Sequence, residues 1–139
     1  MEHKNINFIT VQRDFHITGT STDEIVKKFK GYIDSGLIDV DKAILCKIYY
    51  VIMEGKVEDG PVSIYFLDGT RVRLNLTAGY CGSGPRDTCT ILNLCKFNFK
   101  EEDIFRHQEI VDIKICKDID SSIVYQFKNM DGSYEYSNM

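Results

Sequence analysis

The stretch Val62-Ser63-Ile64-Tyr65-Phe66-Leu67-Asp68-Gly69-Thr70-Arg71-Val72-Arg73-Leu74-Asn75-Leu76 decides the fold. Asp68-Gly69 separates two runs rich in β-branched and aromatic residues, and this pair suits the positive φ angles of a tight two-residue turn. The spacing predicts a hairpin with strands over residues 62–67 and 70–76. Its second strand alternates cleanly. Val72, Leu74 and Leu76 share the apolar face, and Arg71, Arg73 and Asn75 share the other, so two guanidinium groups stand side by side away from the core.

Upstream, Ser21-Thr22-Asp23-Glu24 has the form of a capping box, with the Ser21 hydroxyl accepting from the Glu24 amide and the Glu24 carboxylate returning to the Ser21 backbone. Ile25, Val26, Phe29, Tyr32 and Ile33 then form one stripe of an amphipathic helix, which Gly36 is placed to stop. Residues 6–17 read as strand, with Gln12-Arg13-Asp14 as a turn or bulge. Residues 42–54 read as a second helix capped by Asp41. The run is long for a strand, although Ile48, Tyr49, Tyr50, Val51 and Ile52 favour β structure. Residues 55–61 read as a loop.

Downstream, the glycine-rich Gly79-Tyr80-Cys81-Gly82-Ser83-Gly84 leads into Pro85, a favoured first-turn residue. Thr88, Ile91, Leu92 and Cys95 fall on one face of a third helix. Residues 98–101 resemble another capping box, with a short helix to about Arg106. Residues 109–117 alternate as a strand, residues 123–127 supply its hairpin partner, and residues 131–139 read as a flexible tail. The sum is one α+β domain over residues 1–139. Its mainly antiparallel sheet comprises N-terminal strands and central and C-terminal hairpins, packed on two or three helices.

Composition sets the outer bounds. A chain of 139 residues suits one core, and 43% hydrophobic with 27% charged residues excludes wholesale disorder. The net charge of −4 lacks the basic excess that duplex nucleic acid would demand. The longest apolar run, residues 43–53, is broken by Lys47 and is too short for a membrane span. No basic segment followed by an apolar run opens the chain, and the five cysteines include no Cys-x2-Cys pair. Reduced thiols and a cytoplasmic location are expected. His3, His16 and His107 are isolated, so no metal and no cofactor is expected.

The functional signal is local. Between Gly69 and Cys89, Arg71, Arg73 and Arg86 face a single acid, Asp87, giving a local charge of +2 in a chain whose remainder carries −6. Gly79, Gly82 and Gly84 let backbone amides approach a ligand, Ser83 adds a hydroxyl, and the following helix offers N–H groups and a positive dipole end. Arg86 would clamp a phosphate, Arg71 and Arg73 a second phosphate or a carboxylate, and Tyr80 would stack on a base. The expected ligand-binding residues are Arg71, Arg73, Tyr80, Gly82, Ser83, Gly84 and Arg86.

The loop matches neither the nucleotide-hydrolase P-loop nor the dinucleotide fingerprint, where Asp87 stands in place of the third glycine. It also misses the cysteine-phosphatase cradle, because Arg86 follows Cys81 by five residues and that cradle needs six. A plainer reading has the glycines only turning strand into helix, with the arginines solvated. Cys81 alone among the cysteines sits in a loop, where the helix end and Arg86 would activate its thiol.

With Arg71, Arg73, Gly82-Ser83-Gly84 and Arg86 gathered on a strand, a loop and a helix start in a short acidic chain, the window from Arg71 to Cys89 resembles phage proteins that sequester nucleotide immune signals. The resemblance implies a non-catalytic, oligomeric sponge for cyclic nucleotide or cyclic ADP-ribose-type messengers, with phosphates gripped by arginine and a base stacked on an aromatic ring. It transfers no site residue by residue. The leading expectation is a binder of a small phosphorylated ligand, as a homo-oligomer if the resemblance holds. A second is an acidic interaction module, such as an immunity or inhibitor protein neutralising a basic partner. A third is an enzyme using Cys81 or an acid–base pair that the sequence does not show.

Overall fold

A computed structural model describes residues 10–49, 62–76, 82–100, 110–117, 123–129 and 131–138. Seven strands lie in one sheet: β1 (Arg13–Ile17), β2 (Ala43–Tyr49), β3 (Val62–Phe66), β4 (Thr70–Leu74), β5 (Ile110–Lys117), β6 (Ile123–Asn129) and β7 (Tyr134–Asn138). Their order is β1-β4-β3-β2-β5-β6-β7, and every neighbouring pair is antiparallel except β1 with β4. Two helices, α1 (Thr22–Asp34) and α2 (Ser83–Leu94), complete an α+β fold.

One face of the sheet is the core. Ile17, Cys46, Ile48, Val62, Ile64, Phe66, Val72, Leu74, Ile115, Tyr125 and Phe127 are buried in one cluster with Ile25, Val26 and Phe29 of α1 and Ile91 and Leu92 of α2. Both helices therefore cover the same side. The α1 stripe is as expected from its spacing, with Tyr32 and Ile33 partly buried against the cluster. The predicted face of α2 is buried too: Thr88, Ile91, Leu92 and the capping residue Cys95.

The central hairpin forms with Ile64 opposite Val72 and Tyr65 opposite Arg71. Its loop has three residues instead of the expected two. The Gly69 amide donates to Phe66 O at 3.1 Å, and Gly69 then takes φ +86°, the geometry of a turn followed by a glycine bulge. Asp68 favours this longer loop because its Oδ1 accepts from the Thr70 amide at 3.1 Å.

Residues 42–54 do not form the expected helix where they are described. A 3-10 turn, Val40–Lys42, leads into strand β2, and residues 50–54 lie outside the described residues. β2 has hydrogen-bonded neighbours on both sides, β3 and β5, and its β-branched and aromatic residues suit that central position better than a helix. Asp39, not Asp41, caps the turn, accepting from the Asp41 amide at 3.0 Å. The α1 capping box differs by one residue: Ser21 Oγ accepts from the Glu24 amide at 3.2 Å, but the Glu24 carboxylate accepts from the amide and hydroxyl of Thr20, at 2.9 and 2.7 Å.

At the chain ends, Arg13 and Asp14 are strand residues and not a turn, because Gly69 O holds the amides of Gln12 and Arg13 at 2.7 and 3.2 Å. Residues 134–138, expected as a loose tail, pair with β6 in a third hairpin. Asn98 takes φ +53°, unlike the extended backbone of a helix N-cap, and residues 101–106 of the expected short helix lie outside the described residues.

Candidate functional site

The parallel pairing of β1 with β4 sets Asp14 opposite Arg71 and His16 opposite Arg73, on the sheet face away from the helices. Asp14 joins the two arginines. Arg71 Nε donates to Asp14 Oδ1 at 3.1 Å and its Nη2 to Oδ2 at 2.7 Å, while Arg73 Nε donates to Oδ1 at 3.1 Å. Two guanidinium groups on one carboxylate leave the trio with a net positive charge. The Arg71 hydrogen bonds hold the Asp14 carboxyl below its ordinary pKa, and in return Asp14 raises that of Arg71.

From Arg71 the contacts continue across the sheet. Tyr65 of β3 stands directly opposite Arg71, and the Lys47 ammonium of β2 lies 5.4 Å from the centre of the Tyr65 ring. Lys47 in turn stands directly opposite Lys114 of β5. Like charges facing each other across an antiparallel pair destabilise it, by roughly 0.2–1 kcal/mol. Among the described residues no ion pair relieves either lysine. Leu45 and Cys116, paired with each other on this face, are buried apart from the main core.

The residues expected as one binding site divide between two layers. Arg71 and Arg73 come together on the strand face. Gly82, Ser83, Gly84 and Arg86 start α2, which covers the opposite face. Gly82 caps that helix without a side-chain hydrogen bond, Gly84 and Pro85 are buried, Ser83 and Arg86 are exposed, and Arg86 N donates to Gly82 O at 3.2 Å. Asp87 accepts from Thr22 Oγ1 at 2.5 Å, so this acid ties the start of α2 to the start of α1. Tyr80 and Cys81 lie outside the described residues.

Tyr65, Lys47 and Lys114 join the arginines without having been singled out from sequence. The signal was present in Lys47, the one charge breaking an apolar run, which a strand period places on the arginine face. Lys117 was also missed, and it has a different role. It reaches to the helix side, where its ammonium donates to Cys95 O at 2.5 Å and lies 4.6 Å from the Phe97 ring centre. There it neutralises the carbonyl end of α2, although burial lowers its pKa.

Other chemistry finds little support in the described residues. Burial pushes the Cys46 thiol well above its ordinary pKa and the Cys95 thiol up to about 12, so neither is a thiolate nucleophile near neutral pH. Among the described residues no group of three His, Cys, Asp or Glu side chains is arranged to hold a metal ion, and no helix is long and apolar enough to cross a membrane. No protein-family model, curated protein or solved structure matches the chain.

Proposed function

We propose that the protein is a non-catalytic binder of a small phosphorylated, nucleotide-like ligand, held on the strand face of the sheet. One observation carries this reading: Arg71 and Arg73 converge on Asp14 beside Tyr65 and Lys47, within a chain that is acidic overall. A phosphate would replace or bridge part of the Asp14 carboxylate's role, taking paired hydrogen bonds from guanidinium groups that are already oriented. Tyr65, opposite Arg71, adds a ring, and Lys47, in the row of Arg73, adds a further charge. Sequestration of a nucleotide messenger, as in the phage proteins that the central window resembles, is the biological form this chemistry would take. The start of α2 is a separate place, and Arg86 is not needed for the grip.

The test is titration calorimetry with AMP, ADP and cyclic mononucleotides. Arg71→Ala and Arg73→Ala should each weaken the best ligand at least about tenfold, as loss of a charged hydrogen-bond donor does. Arg86→Ala should leave it unchanged. Retained affinity in both sheet variants, or loss in Arg86→Ala alone, would move the site to the helix start.

A further inference from the structure

The cationic face is longer than a mononucleotide needs. Backbone register places His16, Arg73, Ser63, Lys47, Lys114, Gln126 and Tyr136 at one level across all seven strands. At about 4.8 Å per strand this row spans roughly 29 Å. Arg71 flanks the row at one level, and Lys128 at the other, where Asp112 stands in register with it. Among the described residues, Arg71, Arg73, Lys47, Lys114 and Lys128 thus share this face with Asp14.

The row ends in aromatic rings. Tyr134 and Tyr136 of β7 are 50% and 66% exposed and stack on each other with centroids 6.5 Å apart. Gln126 Nε2 donates to the Tyr136 hydroxyl at 3.0 Å and steadies that ring over the strand face. Large exposed rings at the end of a row of cations, with two lysines set opposite each other, match the needs of a polyanion that also carries flat apolar groups. A phosphate chain relieves the Lys47–Lys114 repulsion, and the tyrosines supply a stacking surface.

We propose that this row binds single-stranded nucleic acid, with phosphates along Arg73, Lys47 and Lys114 and a base stacked on Tyr136. The proposal rests on the ligand reading above and extends it from mononucleotide to strand. Sheet twist favours a single strand over a duplex. Six steps of about 20–25° turn the row through roughly 130°, which a flexible strand follows and a stiff double helix does not. The net charge of −4 points the same way, since general duplex affinity would need a basic surface over more of the molecule.

The experiment is fluorescence anisotropy with a fluorescein-labelled oligothymidylate of about twelve nucleotides, run between about 50 and 200 mM salt. Three phosphate contacts predict a slope of log K against log salt near −2, and Lys114→Ala should reduce its magnitude by about 0.7. Tyr136→Ala should weaken the oligonucleotide at least about fivefold, whereas Tyr136→Phe, which keeps the ring, should bind nearly as wild type. AMP affinity, read by calorimetry, should be the same in Tyr136→Ala and wild type. The proposal is overturned if the oligonucleotide binds no more tightly than AMP, if the slope is flat, or if polyglutamate competes as well as the oligonucleotide. With AMP still bound, any of these outcomes removes the strand proposal alone. Failure of AMP and oligonucleotide together removes the underlying ligand reading as well.

Discussion

Replacing Asp14 by Asn separates what the carboxylate does for folding from what it does for binding. The change keeps the shape of the side chain but removes the charge that accepts two hydrogen bonds from Arg71 and one from Arg73. Side-chain exposures of 31% for Asp14, 22% for Arg71 and 21% for Arg73 place the trio between a surface and a buried ion pair. Three charge-assisted bonds at that exposure, with an amide oxygen still able to accept, predict a loss of about 1–2 kcal/mol. For a domain of this size that lowers Tm by roughly 3–7 °C.

Binding should move the other way. Removing one negative charge about 6 Å from a bound phosphate, at an intermediate effective dielectric, favours the complex by about 1 kcal/mol, or roughly fivefold in affinity at low salt. The two readouts are scanning fluorimetry without ligand and calorimetry with the best mononucleotide. The acid limb gives a third. Arg71 and Arg73 lower the Asp14 pKa, so the stabilisation is fully present above the unfolded value of about 3.9 and is lost as pH falls through the lower folded value. The Asn variant should lack that part of the acid dependence. A variant that binds more weakly while Tm is unchanged would refute the assignment of Asp14 as an internal counter-charge.

Three further outcomes follow from single contacts. Tyr125→Phe removes a buried hydroxyl that donates to Phe97 O and Asn98 O, both at 2.9 Å, and should cost about 1–3 kcal/mol in urea unfolding with an unchanged m-value. Gly69→Ala should lower stability by about 1–2 kcal/mol by thermal melting, because Gly69 takes φ +86° and an added Cβ would lie 3.2 Å from Gln12 Cγ. Lys117→Met should change stability by less than about 1 kcal/mol near neutral pH, since the lost bond to Cys95 O is offset by removal of a desolvated charge. Burial lowers the Lys117 pKa, so the unfolded chain holds the proton more tightly: wild type should gain stability as pH rises from the lowered value towards about 10.4, and the Met variant should lack that gain.

The fold was legible wherever one residue pattern had one structural meaning. Val72 and Leu74 alternating with Arg71 and Arg73 fix both strand and face, and the α1 stripe from Ile25 to Ile33 admits no strand reading. β2 was misread because residues buried on both faces of a central strand lose the alternation that marks a half-exposed one: Leu45 and Cys46 are both buried, on opposite sides. Residues 134–138 carry polar and aromatic residues suited to an exposed edge strand, which composition alone does not distinguish from a loose end. The candidate site was legible in part. Arg71 and Arg73 are neighbours by strand period, but their distance from the α2 start depends on which sheet face the helix covers. Lys114 meets Lys47 only through the β2–β5 pairing, which joins residues far apart in sequence.

The same alternation that buries the core also sets the spacing of the charges. A slip of one residue in β4 would turn Arg71 and Arg73 into the helix layer and expose Val72 and Leu74, so the hydrophobic face holds the register firmly. Each cation is therefore held at a strand position fixed by the core on the other side, with neighbours about 4.8 Å away across strands. An anion binding there meets charges whose backbone positions were ordered by folding, and less ordering entropy is lost on association. The unfavourable Lys47–Lys114 pairing fits this account. The repulsion between Lys47 and Lys114 is imposed by the core register that pairs β2 with β5, and on the proposed reading a negatively charged partner lying across both strands would relieve it.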